Sequence, residues 1–164
     1  MLRSLKNLEQ YIVSATDGDI GNVVNFLLDD ERWMVRYLVV QAGGPLFLSG
    51  RKVLISPISF RQADGATRHF HLGLTVDKVK QSPSIDVDQP VSRQQEREYY
   101  RHYGYAHYWG HSGPWGIGAY PGLLAASNLS YAPAEPDDEP GDLHLRSAQE
   151  LRGYHIHGTD EAIG

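Results

Sequence analysis

His69 and His71 stand two residues apart, so on a β-strand both imidazoles project from one face, the spacing of a two-histidine pair for Zn²⁺. His155 and His157 repeat that spacing. A structural zinc site needs four ligands and the chain has no cysteine to supply them, so the pairs read as exposed strand histidines and no metal is expected. Gly110-His111-Ser112-Gly113-Pro114 has the outline of a serine-hydrolase elbow. It lacks the second glycine of Gly-x-Ser-x-Gly, since position 114 is Pro, and no hydrophobic strand precedes Gly110, so no nucleophile is expected there. The densest chemical signal is aromatic: Tyr99, Tyr100, Tyr103, Tyr105, Tyr108, Trp109 and Trp115, interleaved with His102, His107 and His111. Rings that end in OH or NH suit protein interfaces, where ring area is buried and the polar tip keeps a partner. The same spacing lets Tyr99 and Tyr103 lie together on one helix face against a core. Arg51, Lys52, Arg61 and Arg68 are the main concentration of positive charge; such residues usually form a solvated face, and an acidic protein partner is the next reading. The expected site is therefore a protein-interaction surface of Tyr99, Tyr100, Tyr103, Tyr105, Tyr108, Trp109, Trp115, Arg51 and Lys52, with no catalytic residue and no cofactor.

Bulk properties narrow the partner. A chain of 164 residues with 41% hydrophobic side chains can bury one good core and is short for two. Zero cysteines removes disulfides, thiol catalysis and iron–sulfur clusters, and suits a reducing, cytoplasmic setting. Net charge is −5, opposite to the basic footprint of a nucleic-acid binder, so stacking of bases on the Tyr/Trp run is disfavoured. No run approaches the ~20 apolar residues of a membrane span, and Met1 to Lys6 lacks the apolar core of a signal peptide, so direct membrane insertion is not expected.

Short alternating runs separated by turn residues must position these groups. Tyr11 to Ala15, Ile20 to Asp29, Trp33 to Val40, Arg51 to Ile55 and His69 to Leu72 read as strands. Thr16 to Asp19 supplies a turn in which Gly18 can take positive φ, and Gly21 marks a bulge or a tight bend. In the third strand the period of two puts Trp33, Val35, Tyr37 and Val39 on one face, with Arg36 on the other among apolar residues. Thr75 is the N-cap of a short helix stopped before Pro83, and Ser92-x-x-Gln95 has capping-box spacing for a second helix that Gly104 ends. Residues 105–142 read as a Gly- and aromatic-rich loop followed by an acidic linker.

The chain also repeats itself. Aligned without gaps, residues 2–21 and 145–164 are identical at Leu2/Leu145, Arg3/Arg146, Ser4/Ser147, Leu8/Leu151, Tyr11/Tyr154, Thr16/Thr159, Asp17/Asp160, Ile20/Ile163 and Gly21/Gly164, nine of twenty positions. Ordinary residue frequencies give roughly one or two matches. The organisation expected is a β unit over 2–80, a helical extension over 81–104, the loop and linker over 105–142, and the start of a second, incomplete unit over 143–164. Either the chain belongs to a longer protein with two units, the reading we favour, or residues 145–164 pair with an edge of another chain in an exchanged homodimer.

Thr16-Asp17-Gly18-Asp19-Ile20-Gly21 followed by Val23 to Asp29, then Tyr37 to Val40 and Gly50 to Pro57, resembles the PRC-barrel family, over about residues 2–80. That family includes the cytoplasmic domain of the photosynthetic reaction-centre H subunit, whose N-terminal transmembrane helix has no counterpart in this sequence. Gln10 stands at a turn position where the family often has Gly, and Gly153 fills it in the second copy. The resemblance implies a mainly β fold with minor α, a small bent antiparallel PRC-type β-barrel followed by two short helices and an irregular C-terminal segment. It also implies action through surfaces. The function expected is a non-enzymatic adaptor or scaffold for a protein partner or for self-association; the alternative is an accessory subunit of a photosynthetic or electron-transport membrane complex.

Overall fold

The computed structural model describes residues 3–43, 50–86, 91–109, 113–116, 119–122 and 144–154. They form a mainly β fold with short helices. In chain order the elements are α1 (Leu5–Leu8), β1 (Ile12–Ser14), β2 (Asp19–Asp29), β3 (Met34–Ala42), β4 (Lys52–Ile55), β5 (Phe60–Asp64), β6 (His69–Leu72), α2 (Val76–Lys80), α3 (Arg93–Tyr103), β7 (Leu145–Ser147) and α4 (Ala148–Leu151). A single 3₁₀ turn, Pro57–Ser59, joins β4 to β5.

The sheet has seven strands in the order β4-β3-β2-β1-β6-β5, with β7 added on β2. It is open, which corrects the expected closed barrel. β4 and β5 are its two terminal strands and share no ladder, yet they are neighbours in sequence across Pro57–Ser59. The chain therefore ties the two ends of the sheet together at one corner while the backbone hydrogen bonds leave it unclosed. Pro57 has no N–H to offer, and the Ser56 hydroxyl accepts from the Ile58 N–H instead, so the turn takes the place of a ladder at that corner. Nor is the sheet wholly antiparallel, because β1 runs parallel to β6 with Ile12 opposite His69.

Both faces of the central strands are buried. One core joins Val13, Ile20, Val23, Phe26, Leu38, Val40, Val53, Ile55, Phe70 and Leu72 to Val76 and Val79 of α2. The other face packs Leu27, Tyr37, Val39, Leu54 and Ile58 against Tyr99, Tyr100 and Tyr103 of α3. Fully burying each such side chain contributes roughly 1.5–3 kcal/mol before ordering entropy, so the helix is a structural wall and not an appendage. α3 is held as its sequence predicts: Ser92 and Gln95 close the capping box, and Gly104 ends the helix at φ 73°. Thr75 likewise caps α2, its hydroxyl accepting from the Lys78 N–H at 3.3 Å.

Bulges explain where simple alternation fails. Tyr37 lies opposite Leu27 and Val35 opposite Leu28, so Arg36 is an extra residue in β3. Tyr37 and Val39 face the second core while Val35 packs on the first, which splits the face that strict alternation assigns to them. Trp33 lies outside the strand altogether: it ends the β2–β3 turn at φ 55° and is 64% exposed. Asp29 makes that turn, its Oδ1 accepting from the Glu31 and Arg32 N–H groups while its carbonyl accepts from Trp33. β5, with the sequence Phe-Arg-Gln-Ala-Asp, carries too little apolar alternation to read as a strand.

The two glycine expectations divide. Gly21 is required for close approach, since a Cβ there would stand 1.9 Å from the Gln41 carbonyl oxygen on β3. Gly18 does not take positive φ; its carbonyl accepts from the Ala15 N–H at 2.8 Å and closes the turn. Gln10, by contrast, does sit at φ 69°, the left-handed geometry that favours the glycine expected at its position.

The repeat is visible in three dimensions as far as it is described. Ser4 caps α1 and Ser147 caps α4, each helix being four residues long. β7, from the second copy, pairs antiparallel with the far end of β2 in the same chain, Leu145 opposite Asp29 and Ser147 opposite Leu27. Among the described residues no helix is long and apolar enough to cross a membrane.

Candidate functional site

Glu96 organises the second face of the sheet. It lies one turn into α3, on the stripe 96, 99, 100, 103 that the helical period turns toward the sheet, and its side chain is fully buried. A buried carboxylate is stable only when its oxygens are hydrogen-bonded. Here Oε1 accepts from the Tyr37 hydroxyl at 2.8 Å and the Tyr108 hydroxyl at 2.9 Å. Oε2 accepts from Arg93 Nη1 at 3.0 Å and lies 3.0 Å from His144 Nε2. The Tyr108 hydroxyl spends its one proton on Glu96, so its contacts with Arg93 Nη1 at 3.1 Å and His144 Nε2 at 2.9 Å require both nitrogens to donate. That accounting assigns the Nε2–H form to His144.

A second buried charge pair lies beside it. The Arg36 side chain is 0% exposed and meets Asp29 Oδ2 through Nε at 3.0 Å and Nη2 at 2.7 Å. Its Nη1 donates to the Pro114 carbonyl at 2.6 Å, and its guanidinium lies over the rings of Tyr108 at 3.8 Å and Trp115 at 4.8 Å. Burial pushes the Asp29 carboxyl up, but the hydrogen bonds from Arg36 and the turn amides outweigh it and hold its pKa below 3.8. Burial, with the charge of Glu96 next, drives the Tyr37 and Tyr108 phenols well above their ordinary value, so both act here as donors.

The residues expected at the interaction surface are mostly engaged within the chain itself. Tyr99, Tyr100, Tyr103, Tyr108 and Trp115 are buried in the chain's own second core, with Tyr105 and Trp109 partly buried against it. The seven aromatics are brought together, but as a wall between the sheet and the segment that follows α3. The irregular residues after Gly104 do pack: Tyr105 shares a hydrogen bond with Ser59, and Tyr108 is 2% exposed. Arg51 stands at the edge of this region and donates to the carbonyls of Lys80, Ser82 and Pro83, tying the end of α2 to β4. Lys52 opens β4 opposite Gln41, and Arg68, at φ 60°, lies over the Tyr11 ring, so the basic residues form no single patch with the aromatics. His69 and His71 do share a face, with rings stacked at 5.7 Å, and no metal-binding cluster of three occurs among the described residues. His155, His157 and the Gly110-His111-Ser112 part of the elbow lie outside the described residues.

No family model and no curated protein matches this chain. Its site must therefore be read from the residues alone. Sequence reasoning passed over Glu96, Asp29, Arg93 and His144. The signal for Glu96 was its place on the tyrosine stripe of α3, a carboxylate at helical spacing among aromatics. Arg36, noted among apolar residues in its strand, needed Asp29 seven positions earlier, a pairing that only the bulged hairpin creates.

His107 adds a titratable contact at the rim, its ring stacked on Trp109 at 4.2 Å between centroids. Burial, assisted by the charge of Arg97, lowers its pKa from 6.5 to about 4. The folded state then binds fewer protons than the unfolded chain between those values, so this contribution to stability is complete above pH 6.5 and is lost as pH falls toward about 4. Denaturant midpoints measured from pH 7.5 to 4 are expected to fall over that window, and His107→Gln is expected to flatten that part of the profile.

Proposed function

We propose that this chain is a non-enzymatic adaptor of the PRC-barrel type, which binds protein by adding an extended segment to its sheet. One observation carries the reading: the edge of β2 takes up Leu145–Ser147, more than a hundred residues away in sequence, by antiparallel pairing. The added strand is recognised by side chains as well as by its backbone. Leu145 is buried in the second core, Arg146 Nε pairs with Asp30 Oδ2 at 2.9 Å, and the Ser147 hydroxyl accepts from Asn25 Nδ2 at 2.8 Å. Backbone pairing for affinity with alternate side chains for selectivity is the logic of strand addition. The mainly β fold, whose two terminal strands are joined in sequence through Pro57–Ser59, supports the family part of the proposal. The saturation of Glu96 supports the non-enzymatic part, because a carboxylate already accepting from several buried donors has little capacity left for a substrate proton.

The binding mode can be tested on the full chain with Arg146→Pro, whose own strand can neither pair at that position nor reach Asp30. A fluorescent peptide of residues 144–152 is expected to bind this variant saturably and to bind the unaltered chain far more weakly. Equal or absent binding to both would contradict strand addition.

A further inference from the structure

Residues 144–152 are read side chain by side chain, and on both faces of the sheet. Leu145 is buried in the second core, whereas Ala148 is 7% exposed in the first and Leu151 packs against that same core. Alternation along the strand puts Ala148 on the face opposite Leu145, and the single turn of α4 returns Leu151 to Ala148's side at i, i+3. That turn is fixed within the segment: Ser147 and Glu150 close a capping box, the Glu150 carboxylate accepting from the Ser147 N–H at 3.2 Å. The remaining side chains are met from outside it. Arg146 pairs with Asp30, Ser147 accepts from Asn25, Gln149 Nε2 donates to the Val24 carbonyl at 3.3 Å, and Arg152 pairs with Glu9.

His144 extends this pattern into the buried charge cluster. It is 4% exposed, and its carbonyl accepts from the Asp30 N–H at 3.0 Å, next to the ladder of β7 on β2. Its Nε2 reaches Glu96 Oε2 at 3.0 Å and the Tyr108 hydroxyl at 2.9 Å. Glu96 Oε1 is filled by two tyrosines, while Oε2 is shared between Arg93 of its own helix and this imidazole. Among the described residues, His144 is the donor to Glu96 that the added segment supplies. A buried carboxylate strongly favours a hydrogen-bond donor over an apolar group, so Glu96 has the chemistry of a pocket for that histidine.

We propose that the partner taken up on β2 is a segment bearing this same pattern, His-Leu-Arg-Ser and a small residue leading into one capped helical turn, with Glu96 and Tyr108 reading its histidine. Residues 144–152 are then the chain's own occupant of the site. Tethering holds that occupant at high effective concentration, so a partner segment must displace it. This rests on the strand-addition reading and specifies its ligand.

The test uses the full chain carrying His144→Ala and Arg146→Pro, whose own segment can neither offer an imidazole to Glu96 nor reach Asp30. Fluorescent, N-acetylated peptides of residues 144–152 are titrated against it by anisotropy. The unaltered peptide is expected to bind saturably, and His144→Ala in the peptide to weaken binding at least about tenfold, the scale of a lost hydrogen bond to a charged group. Ala148→Asp in the peptide is expected to weaken it at least as much, because it carries a charge into the first core. Glu96→Gln in the receptor is expected to shrink the preference for histidine over alanine to under about threefold, as the cycle of a directly coupled pair requires. The peptide comparisons leave the receptor unchanged, so they decide the pattern whether or not the Glu96 variant folds. Unaltered and substituted peptides that bind within about twofold of one another would overturn the pattern and leave strand addition intact. A histidine preference undiminished by Glu96→Gln would overturn the pocket. Absence of binding by the unaltered peptide would overturn strand addition and the pattern together.

Discussion

Arg36→Met is expected to lower the free energy of unfolding by about 3–5 kcal/mol, the usual cost of removing one partner of a buried ion pair. The substitution keeps most of the apolar stem, so the loss is dominated by stranding Asp29, whose side chain is 4% exposed. It also frees the Pro114 carbonyl and the rings of Tyr108 and Trp115 from the guanidinium. Asp29→Asn in the same chain should recover part of the loss, since an amide oxygen can still accept from the Glu31 and Arg32 N–H groups without a buried charge. The acid limb should change as well. In the unaltered protein Asp29 has a lowered pKa, so its contribution is present above 3.8 and disappears as pH falls through the folded-state value. Without Arg36 that dependence should weaken or reverse. Urea titrations of the single and double variants read all of this, and a single-variant loss under about 1 kcal/mol would show the pair to be dispensable.

Glu96→Ala should be comparably destabilising and more informative about function. It deprives Tyr37, Tyr108 and Arg93 of an acceptor in a region that water does not reach, and an unsatisfied buried donor costs about 1–3 kcal/mol, more for a charged one. The expected total is about 3–5 kcal/mol, because the neighbours relax only in part. His144 immediately precedes β7 and is held through the same carboxylate, so the variant should also loosen Leu145–Ser147 from β2. Hydrogen exchange at Leu27–Asp29 is expected to rise by more than at Val13 or Val40 in the first core. A uniform rise across both cores would separate Glu96 from the seating of β7.

The physical reason that some of this was legible and some was not lies in the range of each interaction. Helix ends are local, and Ser92-x-x-Gln95, Thr75 and Gly104 place α2 and α3 to the residue. Strands with alternating or continuous apolar runs were equally plain, whereas β5 was not, because an edge strand in water need bury little. Closure of the sheet is a property of its two ends, and no residue pattern in β4 or β5 says whether their backbones meet. The bulge at Arg36 reversed a face assignment built on strict alternation. The aromatic run was conspicuous, but composition does not distinguish an exposed platform from a core wall; the buried carboxylate on the same helical stripe does. The repeat identified the segment 145–164 as special, and only its register on β2 showed what its first residues do.

As a protein-binding adaptor, the full chain is expected not to behave as an isolated monomer in the mixture it comes from. Light scattering of the tagged chain recovered from its native extract measures this directly. The expected species is well above the 18.3 kDa of one chain, made of further copies or of a stoichiometric protein partner. A recovered species of 18.3 kDa at every concentration, with no protein accompanying it, would contradict the account.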